Sequence, residues 1–322
     1  MAITAGTTLG GRYVLRSLIA VGGMGEVWRG TDTDLDRAVA VKLLKDGAAE
    51  NETFLKRFRN EAKNAAGLLH ENIAQVYDFG EHARTPYLVM ELVEGEPLSS
   101  ILERERTLDE ARLVTLLRHS CHGLSAAHAA GVMHRDVKPG NLLVQADDHV
   151  KITDFGVSRG TDQTTLTATG MVMGTAQYLA PELALGKPAT PVSDLYALGI
   201  IAYEAVVGKR PFTAASAVDI AIAQVNEPVP ALPSSVSPDL ARLIRVLLDK
   251  APRKRPQTAL ELDQMLAGLS LTGRARVASS PVDPAAPTPE DGTRPSQRRT
   301  MPPSIAPREY RPRPDVERKR RS

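Results

Sequence analysis

The feature that most limits what this chain can fold into is a change of hydrophobic period near residue 100. Residues 11–44 read as strand-like runs, YVLRSLI, EVWRGTD and AVAVKLL, the last two joined by a TDLDR turn. One stretch of helical spacing comes next, NETFLKRFRNEAKNAAGLL over 51–69, then two more strand-like runs, IAQVYDFG (73–80) and TPYLVMELV (85–93). From Thr107 onward the spacing predicts long helices over 109–130, 192–207, 216–225, 238–249 and 257–268. A sheet-rich part with one helix, then a mostly helical part, reads as an α+β chain in two parts with a natural hinge at EGEPLSS (94–100). The expected division is an N-terminal extension over 1–10, a sheet-rich part over 11–93, a mostly helical part over 94–268 and a tail over 269–322.

Charge separates the tail from the rest. Residues 273–322 hold 12 Lys/Arg against 6 Asp/Glu, which leaves 28 against 32 for the first 272 residues. A mildly acidic body argues against nucleic-acid binding, which needs a basic face. The tail contains ten prolines and one aromatic residue, Tyr310, too little apolar surface to offset the entropy of ordering it. Cys121, the only cysteine, excludes a disulfide framework, fits a reducing cytoplasm and reads as a small packed hydrophobe. The longest apolar run, LYALGIIAYEAVVG over 195–208, is too short to span a bilayer and contains Glu204.

Four stretches carry chemistry. LIAVGGMGEV (18–27) can be written A-x-G-x-x-G-x-V, with Ala20, Gly22, Gly25 and Val27 at the fixed places. A glycine hairpin of this kind is either an ordinary turn or a loop whose unobstructed N–H groups approach phosphate oxygens. Lys42 ends an apolar strand, so its ammonium is expected to be partly buried and to need a partner, with Glu61 on the following helix as the candidate. In VMHRDVKPGNLLV (132–144), Asp136, Lys138 and Asn141 lie between apolar flanks. That trio offers a carboxylate to orient and deprotonate a hydroxyl, a cation to neutralise a phosphoryl group, and a hard oxygen for Mg²⁺. VKITDFGVSRG (150–160) is a short strand ending in Asp154, a second oxygen ligand beside a flexible glycine.

Together, GGMGEV at 22–27, AVK at 40–42, HRDVKPGN at 134–141, DFG at 154–156 and APE at 180–182 resemble the protein-kinase superfamily over roughly residues 11–268. GGMGEVWRG, VYDFGE, YLVMELVEG and GTAQYLAPE further resemble the eukaryotic-like Ser/Thr protein kinases of bacteria. The resemblance implies a two-lobed fold with ATP and Mg²⁺ or Mn²⁺ in the cleft. It implies that Ala20, Val21, Gly22, Gly23, Met24 and Gly25 cover the phosphates, with Ala20 a departure from the family's first glycine. Lys42 would hold the α/β-phosphates and pair with Glu61; Asp136 would be the catalytic base and Lys138 would meet the γ-phosphate. Asn141 and Asp154 would bind the metal, and Val27 and Ala40 would cover the adenine with Leu143 below it. Met90 would be the gatekeeper, and Glu91 and Val93 would supply hinge backbone bonds. Glu182 would pair with Arg255, and Asp194 would brace the catalytic loop.

The KPGN form of the loop, and Thr175 before the APE segment, resemble enzymes that phosphorylate Ser and Thr in protein substrates. The segment TDQTTLTATGMVMGT (161–175) is threonine-rich, and alignment to the family singles out Thr167 and Thr169 for autophosphorylation. A phosphothreonine there could pair bidentately with Arg135 and order the segment. The rival from another class is a pseudokinase scaffold that binds nucleotide without catalysis. The resemblance also admits a homodimer through the back of the N-lobe. The tail, ending VERKRRS, reads as a free tail, a basic docking arm or a juxtamembrane linker, so membrane attachment would require a segment beyond residue 322.

Overall fold

The computed structural model describes residues 3–22, 25–44, 62, 65–155 and 176–270. The first lobe is a six-stranded antiparallel sheet: β1 (Thr8–Leu9), β2 (Tyr13–Gly22), β3 (Gly25–Asp32), β4 (Arg37–Leu44), β5 (Val76–His82) and β6 (Thr85–Glu91), in the order β1-β2-β3-β4-β6-β5. Strand alternation gives each face its own core. Val39, Val41 and Leu43 of β4 join Tyr13, Leu15, Trp28, Tyr87 and Val89 on one face. Ala40 and Leu44 join Leu88 and Met90 on the other, so the period of two sends Lys42 to that second face as well. The helix expected over 51–69 lies largely outside the described residues, as does the tail from residue 271 onward.

Beyond the coil at 92–95 the second lobe begins with a three-stranded ribbon of β7 (Glu96–Pro97), β8 (Leu142–Val144) and β9 (Val150–Ile152). Its helices are α1 (Leu98–Glu105), α2 (Glu110–Ala129), α3 (Pro181–Ala184), α4 (Pro191–Val207), α5 (Ala217–Asn226), α6 (Pro238–Leu247) and α7 (Ala259–Ala267). Side-chain caps set several starts: Asp109 accepts from the N–H groups of Ala111 and Arg112, Ser216 from Asp219, and Thr258 from Glu261. α4 opens with a Thr190–Ser193 capping box and stops at Gly208, whose φ of 80° suits a left-handed cap. Nearly every side chain from Val192 to Tyr203 is buried, so the apolar run over 195–208 is the central strut of the lobe, with α2 and α6 packed on it. Among the described residues no helix is long and apolar enough to cross a membrane.

Periodicity over 94–107 does not reveal α1. Its eight residues, LSSILERE, come after Pro97 without a side-chain cap, and only Leu98, Ile101 and Leu102 give it a buried face. The lobes meet where the Ile152 carbonyl accepts from the Ala74 N–H at 2.9 Å and the Ile152 N–H donates to the Asn72 carbonyl at 2.9 Å. This couples the end of β9, and therefore Asp154, to the backbone leading into β5.

Candidate active site

The cleft is furnished from four places. The first is the β2–β3 hairpin, where Gly22 faces Gly25 across the turn. Gly25 has φ +146°, and a Cβ there would lie 1.8 Å from the Leu43 carbonyl oxygen, so only glycine lets β3 lie this close to β4. Gly22 has open space around it, its nearest atom being the Gly25 oxygen at 3.9 Å. Ala20 is exposed in β2 opposite Val27, just past a bulge, and does not have a positive φ; its methyl needs no special room. Val21 is also exposed, while Gly23 and Met24 lie outside the described residues.

The second is the inner face of the sheet. Ala40 and Met90 are paired across β4 and β6 and both are buried, with Val27 packed against them. Lys42 is 6% exposed, and its Nζ donates to Asp154 Oδ1 at 2.7 Å. Glu61, the partner expected from sequence, lies outside the described residues. The Glu91 N–H is committed to the Gln75 carbonyl at 2.8 Å, and its carboxylate takes Lys151 Nζ at 2.8 Å. Val93 is half-buried in the coil between the lobes, and Leu143 is half-buried in β8.

The third is the loop at 132–141. Asp136 is buried, and its Oδ2 receives Lys138 Nζ at 2.6 Å. The Asn141 amide nitrogen donates to the Asp136 carbonyl at 2.8 Å, which leaves its side-chain oxygen as the end that can meet a cation. His134 ties this loop to Asp154: its Nδ1 accepts from the Asp136 N–H at 3.2 Å, and its Nε2 lies 2.9 Å from the Thr153 carbonyl. A ring that accepts at Nδ1 must donate at Nε2, so a single neutral tautomer satisfies both. The Thr153 N–H in turn donates to the Asn141 carbonyl at 2.9 Å. These bonds, with the β8–β9 pairing, bring Asp136, Asn141 and Asp154 to one end of the ribbon.

Asp194 holds the loop from below. It is 2% exposed; Oδ2 accepts from the His134 N–H at 3.0 Å, Oδ1 from the Arg135 N–H at 2.9 Å, and His128 Nε2 lies 2.8 Å from Oδ2. Arg135 and Asp154 have φ values of +68° and +62°, a left-handed conformation that costs a non-glycine residue about 1–3 kcal/mol. Both strained residues sit within the hydrogen-bond network that fixes them.

The fourth is the stretch from Ala176 into α3. Glu182 and Arg255 form a bidentate, buried pair at 2.8 and 2.9 Å, with Ser193 Oγ donating to Glu182 at 2.8 Å. Burial pushes the Glu182 carboxyl up, but the Arg255 hydrogen bonds and charge outweigh it and hold the group below its ordinary value. Thr167, Thr169 and Thr175 lie outside the described residues. A small cavity between the loop at 132–141 and residues 178–180 is lined by Asp136, Tyr178, Leu179, Ala180, Ser193 and Asp194.

Asp154 and Asn141 fit a divalent cation. Burial pushes the Asp154 carboxyl up, yet the Lys42 charge and hydrogen bond, helped by the Lys138 charge, hold it below its ordinary value and keep it ionised. With Oδ1 on Lys42, Oδ2 remains, and one carboxylate plus an amide oxygen is a typical protein share of a Mg²⁺ shell completed by phosphate and water. Sequence reasoning did not find the structural roles of His128, His134, Ser193 and Thr153. Each works through a backbone group or a buried partner, which leaves no spacing to read.

The comparisons agree with this geometry. A family model described as protein kinase domain matches residues 13–266. The serine/threonine-protein kinase PknA of Mycobacterium tuberculosis is 50% identical over 260 residues, 79% of this chain and 60% of that protein. The serine/threonine-protein kinase PknA of Corynebacterium glutamicum is 40% identical over 293 residues, 88% of this chain and 62% of that one. The chain thus spans about 60% of the length of these curated relatives. The crystal structure of the PknI kinase domain of Mycobacterium tuberculosis superposes with a TM-score of 0.64 at 25% identity, covering 83% of this chain and 99% of that one. A match over residues 13–266, with half the residues shared with a bacterial relative, shows that the chain belongs to the protein kinase family, among the bacterial eukaryotic-like Ser/Thr kinases.

Proposed function

We propose that this chain transfers the γ-phosphate of ATP to serine or threonine hydroxyls of protein substrates. The observation that carries the reading is the convergence of Asp136, Lys138 and Asn141 on one loop with the buried Lys42–Asp154 pair across the cleft. Asp136 accepts the acceptor hydroxyl's hydrogen bond and takes its proton as the oxygen attacks. Lys138, now on Asp136, turns to the transferring phosphoryl when that group arrives, which frees the carboxylate for the hydroxyl. Lys42 orients the remaining phosphates, and the Gly22–Gly25 hairpin closes over them with backbone N–H groups. The divalent cation, Mg²⁺ or Mn²⁺, neutralises phosphate charge when bound; Asn141 and Asp154 would hold it. The adenine lies between Val27 and Ala40 above and Leu143 below, with Met90 at the back. With the Glu91 N–H already spent, a hinge bond from Glu91 uses its carbonyl, and Val93 supplies the rest. Lys138 two places after Asp136, and relatives named as serine/threonine-protein kinases, support Ser/Thr acceptors.

In the same reading, Thr167 and Thr169 are autophosphorylated and then pair with Arg135, and the enzyme signals from the cytoplasm. Phosphopeptide mapping of wild type beside Asp136→Asn tests the loop sites, and equal phosphate on both proteins sinks that part. Incubation with labelled ATP, Mg²⁺ and a generic basic protein tests the activity itself, with Lys42→Met as the dead control. Label on the acceptor with wild type alone supports a kinase. Nucleotide binding with no transfer means a pseudokinase scaffold instead.

A further inference from the structure

Gln224 is a polar side chain with no exposure at all, inside α5 and away from the catalytic loop. Its amide is satisfied at both ends. Oε1 accepts from the Tyr196 hydroxyl at 2.6 Å, and Nε2 donates to the Gln177 carbonyl at 3.0 Å. Because a carbonyl can only accept, the amide has one possible orientation. Its backbone carbonyl takes Lys250 Nζ at 2.7 Å, an ammonium 4.0 Å from the Phe212 ring centre that burial and neighbouring Arg255 push down to about 8. Burying this much polarity is costly unless every group is paired, and here one of the pairs, to the Gln177 carbonyl, ties α5 to a loop.

That loop matters because of its position beside the catalytic aspartate. Gln177 leads directly into Tyr178, Leu179 and Ala180, the wall that faces Asp136 across the small cavity. Tyr178 is tied separately, its hydroxyl donating to Glu204 on α4 at 2.6 Å. α4 therefore grips both sides of the cavity: Asp194 holds the N–H groups of His134 and Arg135, and Tyr196, two residues on, holds the opposite wall through Gln224.

We propose that Gln224 is a positioning residue for the protein acceptor: its amide, clamped by Tyr196, sets the Gln177 carbonyl and hence the height of the 177–180 wall beneath Asp136. The inference rests on the kinase reading. It assigns Gln224 to acceptor binding and leaves the nucleotide to the hairpin and to Lys42.

The test uses the full chain with ATP, Mg²⁺ and histone as acceptor, and compares wild type, Gln224→Met and Gln224→Glu. Methionine keeps the length and removes both hydrogen bonds; glutamate keeps an acceptor for Tyr196 and loses the donor to Gln177. Losing one buried hydrogen bond to the loop should raise the histone KM about fivefold to tenfold. The ATP KM should stay within about twofold, the scale of a surface change. If the methionine variant unfolds in a thermal melt, the glutamate variant carries the comparison. An unchanged histone KM in a folded variant, or an ATP KM that rises in parallel, overturns the proposal. Wild type that transfers no phosphate at all overturns the kinase reading and takes this inference with it.

Discussion

Replacing Asp194 by asparagine tests whether the catalytic loop is held from the buried helix beneath it. The carboxylate accepts three hydrogen bonds, from the N–H groups of His134 and Arg135 and from the His128 ring. Asparagine keeps one oxygen. If that oxygen stays on His134, the new NH₂ points its hydrogens at the Arg135 N–H, donor against donor. The loss is then one charge-assisted bond, about 1.5–3 kcal/mol, plus a buried unsatisfied N–H at about 1–3 kcal/mol. A total of about 4 kcal/mol is a large share of the roughly 5–15 kcal/mol that keeps a domain folded. At about 2–4 °C per kcal/mol for a domain of this size, the melting temperature should fall by roughly 10 °C. The functional loss should be larger than the thermal one suggests. Arg135 is held at φ +68° directly before Asp136, and releasing its N–H lets the strain relax by moving that carboxylate. A displacement near 1 Å costs on the order of 10²-fold in rate. Differential scanning fluorimetry and steady-state transfer to histone, both at a temperature where the variant is folded, read the two effects. A variant that melts within 2 °C of wild type (roughly 1 kcal/mol or less) and keeps its kcat would mean that this carboxylate does not hold the loop.

Other contacts give further expected outcomes. Gly25→Ala must push the Leu43 carbonyl away, so it should cost about 1–3 kcal/mol and weaken ATP binding. Gly22→Ala, with open space around it, should change stability by less than about 1 kcal/mol, and chemical denaturation of the pair measures the contrast. Ala20→Gly should change the ATP KM by about twofold at most, because the alanine is exposed in ordinary strand geometry; a large rescue of kcat in an ATP titration would show that its methyl obstructs the lid. Glu182→Gln breaks a buried ion pair and should destabilise by about 3–5 kcal/mol at pH 7. The folded carboxyl lies below its ordinary value of 4.5, so the pair's contribution is complete above that value and disappears as pH falls through the folded one. Melting curves of wild type and variant should therefore converge in acid, and a gap that persists undiminished at low pH would assign the stability to something other than this pair.

Much of the fold is legible because hydrophobic period reports burial directly. The apolar run over 38–44 reads as a strand with Lys42 partly buried near its end, and the structure sets that lysine beside Ala40 and Leu44 on the inner side. The helices over 110–129 and 191–207 match the ranges expected over 109–130 and 192–207, since caps and an end glycine mark their limits. α1 escaped because eight residues give too few turns for a period to show. In the site, the residues expected to meet a ligand come from motif order, whereas the residues that hold them in place leave no such signal. Asp154 could be read from DFG, but its left-handed backbone and its bond to Lys42 depend on lobes brought together from opposite ends of the cleft. Gln224 carries no local signal, since an amide in the middle of a helix looks like a solvated surface residue until its partners at 177 and 196 are in place.

In the proposed reaction Asp136 acts on the acceptor hydroxyl, while Lys42 and Asp154 serve the nucleotide. The most direct measurement is kcat for phosphorylation of a Ser/Thr peptide by Asp136→Asn against wild type, paired with ATP affinity from calorimetry. General-base catalysis contributes on the order of 10²–10⁴-fold, so kcat should fall by that factor. ATP affinity should stay within about twofold, because Asp136 touches Lys138 and Asn141 and does not touch Lys42. A kcat within tenfold of wild type, or an equal collapse of ATP binding, would contradict the account.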